Sequence, residues 1–81
     1  MPTVLRYEAY RLYFFSHEPN EPPHVHIDRD RLSAKFWLSP VSLARNRGFN
    51  ARDLRKIEVI VRENRQNLLE AWYGYFGSSN R

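Results

Sequence analysis

The hydrophobic and polar positions of this chain change period once, near residue 50. Before that point they alternate two by two, and after it they recur every three or four residues. "TVLRYEAYRLYFF" (residues 3–15) is rich in β-branched and aromatic residues and reads as strand, with a turn expected around Glu8-Ala9. Neither glycine nor asparagine is present to help that turn. "SHEPNEPP" (residues 16–23) reads as a loop, because its prolines cannot serve a central strand. "HVHI" and "LSAKFWL" follow as two more strands joined across residues 28–31.

"PVSLARNRGF" is ambiguous, either a helical turn or an edge strand, and residues 39–49 are taken as a connecting segment. Asn50 suits a helix N-cap, with Asp53 three residues on as in a capping box. Leu54, Ile57, Val61, Leu68, Trp72 and Tyr75 then mark the apolar face of a helix over about 51–76. Asn64 interrupts that stripe, so the helix is either kinked or split there. The pattern predicts one α+β domain over residues 1–81: a three- or four-stranded antiparallel sheet over about 3–38, with the C-terminal helix on one face.

Alternation also assigns faces. Residues two apart in a strand point the same way, so Val25 and Ile27 face the helix while His24, His26 and Asp28 face away. A two-residue turn centred on Arg29-Asp30 would set Ile27 opposite Leu32, Val25 opposite Ala34, His26 opposite Ser33 and His24 opposite Lys35. Apolar then meets apolar, and polar meets polar. The outer face would carry His24, His26, Ser33, Lys35 and Trp37, joined by Arg11, Tyr13 and Phe15 from the earlier strand.

Composition narrows what such a face can do. No cysteine is present, which removes disulfides and thiolate chemistry and fits a cytoplasmic protein. No run of apolar residues is long enough to span a membrane, and no leader pattern is visible. Thirteen basic residues against nine acidic give a net charge of +4, and eleven of the thirteen are arginine, whose planar fork suits phosphate and carboxylate. Twelve aromatic residues are more than a chain of this size readily buries. A face of arginine and aromatics fits a protein partner, and it also fits RNA. DNA reading by the helix is the weaker idea, since its basic positions alternate with acids.

The run "NEPPHVHIDRDR" (residues 20–31) raises three chemical readings. The plainest is a solvated strand face with two histidines. A second is metal binding through His24 and His26, which needs further ligands from His17, Glu18, Glu21 or Asp28. No cofactor is otherwise implied. The third is acid–base catalysis, with His24 or His26 as base and Lys35 or an arginine stabilising charge, as a metal-independent ribonuclease requires. The alternating histidines are similar to those of histidine-triad hydrolases, but Asp28 stands where a third histidine belongs. Arg45 and Arg47, in the connecting segment, are either a phosphate clamp or a solvated loop. Whether the chain is an enzyme is left open by these residues.

"YRLYFFSHE", "NEPPHVHI", "AKFWLSPVSLA", "GFNARDLRKIEVIVREN" and "LLEAW" together resemble the short bacterial proteins catalogued as domain of unknown function four-one-six-zero. Glu21, Pro22, Pro23, His24 and His26 match that family's central motif, and Lys35, Phe36 and Trp37 its second. The resemblance implies no settled activity and no catalytic residue. It implies one component of a two-gene, toxin–antitoxin-type module whose cognate partner is another small protein. Relatives tend to carry a glycine in the turn where this chain has Glu8-Ala9.

Overall fold

The computed structural model describes residues 3–15 and 20–77. It is an α+β fold: strands β1 (Thr3–Tyr7), β2 (Tyr10–Tyr13), β3 (His24–Arg29), β4 (Leu32–Leu38) and β5 (Val41–Arg47), then helices α1 (Ala51–Glu63) and α2 (Arg65–Phe76). The strands form one antiparallel sheet in the order β1-β2-β3-β4-β5. The sheet therefore has five strands rather than three or four. The extra one comes from residues 41–47, expected as part of a connector; they pair along β4 after a turn that contains a cis Ser39-Pro40 bond.

The first hairpin closes tightly, with Tyr7 opposite Tyr10 and Glu8 in the left-handed region at φ 55°. In the β3–β4 hairpin the turn is centred on Asp30-Arg31, one residue later than expected. Arg29 lies opposite Leu32, Ile27 opposite Ala34, Val25 opposite Phe36, His26 opposite Lys35 and His24 opposite Trp37. Asp30 takes the left-handed conformation at φ 56°, which a short polar side chain tolerates better than Arg29 would. Moving the turn centre by one residue slides every pair by two, so each side chain keeps its expected face while its neighbour changes.

The helix face of the sheet holds the core. Leu12, Val25, Ile27, Phe36 and Leu38 are fully buried against Ile57, Val61 and Leu68, with Ile60 and Trp72 nearly so. Asn50 caps α1 by accepting from the Asp53 amide at 2.8 Å. Only half of the capping box forms, because the Asp53 carboxylate turns to Arg29 Nη2 at 2.9 Å. That bond holds the Arg29 guanidinium pKa above its usual value and ties the start of α1 to β3. Arg29 also donates to Tyr10 Oη at 2.9 Å.

At Asn64 the helix does divide. The Asn64 side chain donates to the Ile60 carbonyl at 2.8 Å, while its own carbonyl accepts from the Leu68 amide at 2.9 Å. Trp72 in α2 packs edge-on against Phe14 at 5.2 Å and meets Phe76 at 4.2 Å. Phe76 is the half-buried aromatic at that end, whereas Tyr75, expected in the stripe, is 48% exposed. Glu58 and Arg62, four residues apart, form an ion pair at 2.9 Å on the water face of α1. No helix among the described residues is long and apolar enough to cross a membrane.

Candidate functional site: a basic cavity on the outer sheet face

A cavity of about 180 Å³ opens on the sheet face away from the helices. Tyr13, Phe15 and His26 form its aromatic wall, and Lys35, Arg45 and Arg47 its basic wall; Ser33 and Ala34 complete the lining. Strand pairing makes this arrangement. Tyr13 lies opposite His26, His26 opposite Lys35, Lys35 opposite Arg45, and Ser33 opposite Arg47. Side chains directly opposite in an antiparallel ladder sit on one face with Cβ atoms about 5 Å apart. Four strands thereby bring residues 13, 26, 35 and 45 into one row.

The two arginines depend on an irregularity in β5. Phe36 pairs with Leu43 and Lys35 with Arg45, so one step on β4 spans two on β5 and Ala44 is the extra residue. A bulge of this kind shifts the alternation of the strand that carries it. Val41 and Leu43 pair with helix-face residues before it, and Arg45 and Arg47 pair with outer-face residues after it. Unbroken alternation would have put all four on one side. The arginines expected on a loop thus stand on an edge strand, aimed at the cavity.

His24 and His26, expected to be alike, are not. His24 is 0% exposed. Its ring packs edge-on against His26 at 5.2 Å and Trp37 at 5.7 Å, and against Trp72 of α2 at 4.9 Å. Its Nδ1 lies 2.9 Å from the Pro22 carbonyl oxygen. A carbonyl can only accept, so Nδ1 carries the proton in that bond. The reading of both histidines as a solvated strand face fails here, because Trp72 reaches the His24 ring. His26 is half-buried, stacks on Tyr13 at 5.4 Å and takes the Phe15 ring edge-on at 4.4 Å. Tyr13 is itself fixed, its hydroxyl 3.1 Å from both Asp28 carboxylate oxygens.

Lys35 is 7% exposed, pairs with Glu21 and lies 4.7 Å from the Trp37 ring centre. The one-ion partner matters, since a buried ammonium without one is costly. Glu21 stands fourteen residues away in the loop before β3, and no local pattern could have joined the two. Arg11 covers the Tyr13 ring at 4.6 Å and donates to Thr3 Oγ1 at 2.9 Å, so it holds the aromatic wall from outside the cavity. Trp37 likewise lies on this face but outside the lining. Arg45 and Arg47 are exposed and enter no ion pair among the described residues.

The residues expected as metal ligands divide. Among the described residues, no three His, Cys, Asp or Glu side chains are grouped to hold a metal ion. Glu21 is engaged by Lys35 and Asp28 by Tyr13. His17 and Glu18 lie outside the described residues. Of the expected catalytic set, His26 and Lys35 line the cavity and His24 does not.

Neither the curated proteins nor the solved structures contain a match to this chain. A family model does match, over residues 9–73, which takes in β2 to β5, α1 and most of α2. That span contains every residue of the cavity, and the chain belongs to the family described as Domain of unknown function (DUF4160).

Proposed function

We propose that this chain is a binding module whose outer sheet face docks an acidic surface of a cognate small protein, as one component of a two-gene, toxin–antitoxin-type pair. The observation that carries the reading is the pair of exposed guanidiniums of Arg45 and Arg47, unpaired among the described residues, beside an aromatic wall. Arginine and aromatic residues are the types enriched where protein interfaces concentrate their binding energy. The net charge of +4 favours an acidic partner and speeds its encounter.

The ribonuclease reading has less support. Acid–base work by a histidine pair needs both imidazoles within reach of one substrate. His24 is sealed under Trp72 and bonded to the Pro22 carbonyl, which leaves His26 to act alone. The two-histidine metal reading meets the same obstacle.

Co-expression with the product of the adjacent gene, followed by size-exclusion chromatography, tests the proposal. A complex at micromolar concentration is expected, weakened at least about tenfold by Arg45→Glu/Arg47→Glu and by raised salt. Separate elution of the two proteins at that concentration would refute it.

A further inference from the structure

The cavity has a charge balance of its own, independent of any protein partner. Lys35, Arg45 and Arg47 bring three positive charges, and Glu21, bound to Lys35, brings one negative charge. Among the described residues no acidic side chain lines the cavity, and Asp28, opposite Ser33, is matched by Arg11 on the neighbouring strand. The described groups therefore leave a surplus of two positive charges facing the opening. Arg45 and Arg47 are two residues apart on one strand face, about 6.6 Å along the strand. Two such forks can grip one small anion from adjacent sides, each with paired N–H donors. Ser33, directly opposite Arg47, adds a hydroxyl donor.

Size and charge then select the anion. At about 180 Å³ the space is smaller than the roughly 300 Å³ at which pockets for whole drug-sized ligands begin. It suits one charged group presented by a larger molecule. A carboxylate or a phosphodiester brings a single negative charge and leaves half the surplus unmatched. A phosphate monoester carries about −1.5 to −2 at neutral pH, with three acceptor oxygens. Phe15, half-buried, lines the same cavity as the arginines, and an aromatic side chain there suits the base or sugar that carries the phosphate. We infer that the cavity is a binding site for the terminal phosphate of a nucleotide, held by Arg45, Arg47 and Ser33 with Lys35 behind them.

The test uses the full chain alone, so a failure of partner docking leaves it intact. The ¹⁵N-labelled protein is titrated with adenosine 5′-monophosphate, a 5′-phosphorylated tetraribonucleotide, the same tetranucleotide with a 5′-hydroxyl, and a phosphoserine peptide. Saturable shifts at the Ser33, Arg45 and Arg47 amides are expected with both 5′-phosphate carriers, and the hydroxyl form should bind at least about tenfold more weakly. Equal affinity for the monophosphate and the phosphorylated tetramer identifies a free nucleotide as the source. Tighter binding of the tetramer identifies a nucleic-acid end. Arg45→Gln/Arg47→Gln, with an unchanged thermal melt, should weaken the monophosphate about tenfold or more. Equal binding of the phosphorylated and hydroxyl tetramers would overturn the inference, as would tighter binding of the phosphopeptide than of the monophosphate. Full affinity in the double variant, or no saturable shift at these amides, would overturn it as well.

Discussion

His24→Ala separates a structural from a chemical role for the most conspicuous motif in the chain. The ring is fully buried and touches Trp72, Trp37 and His26. Truncating a buried aromatic leaves a cavity that costs about 3–5 kcal/mol for phenylalanine or tryptophan, and the smaller imidazole should fall near 2–4. The Pro22 carbonyl also loses its donor, a further cost of about 1 kcal/mol. A loss near 4 kcal/mol is expected, against a total of about 4–12 for a domain of this length. The melting temperature should fall by roughly 16–32 °C. His26→Ala, which removes a half-buried ring, should cost only about 1 kcal/mol. Urea unfolding followed by circular dichroism and by the fluorescence of Trp37 and Trp72 measures both. His24→Phe refills the cavity without the hydrogen bond and should recover most of the loss. If His24→Ala stays within 0.5 kcal/mol of the parent protein, the ring is not packed as described, and a surface ligand or catalyst becomes the better account.

Three further outcomes follow from local geometry and can be read from the same unfolding curves. Gly48 sits at φ +98°, and a Cβ there would come 2.6 Å from Leu32 Cδ2; Gly48→Ala should cost about 1–2 kcal/mol or more, and a neutral result would mean that the turn into Phe49 is misdescribed. Asn50→Ala removes the cap on the Asp53 amide and should cost about 1 kcal/mol, whereas Asn50→Asp should be close to neutral. Arg45→Glu/Arg47→Glu should leave stability within about 0.5 kcal/mol, because both side chains are exposed and unpaired among the described residues; a larger loss would make them structural rather than binding residues.

The period of the apolar positions was enough to establish the α+β class, the antiparallel hairpins and which residues of β3 and β4 turn toward the helices. Val25, Ile27 and Phe36 are buried as alternation requires, and His26, Ser33 and Lys35 share the opposite face. Those properties are local, set by the two-residue repeat of a strand and the cap chemistry of Asn50. Even the misplaced hairpin turn left the faces intact, because the slide was by an even number of residues. Three features of the site were not legible. Ala44 reverses the side on which β5 presents Arg45 and Arg47, and a bulge exists only relative to a partner strand. Glu21 reaches Lys35 across fourteen residues of loop and strand. Trp72, from the far end of the chain, closes over His24 once the helix has divided at Asn64. Each is a long-range contact that no short window of residues encodes. Sequence alone therefore gave His24 and His26 one direction, and tertiary packing gave them different surroundings, one against tryptophan and one on the cavity wall.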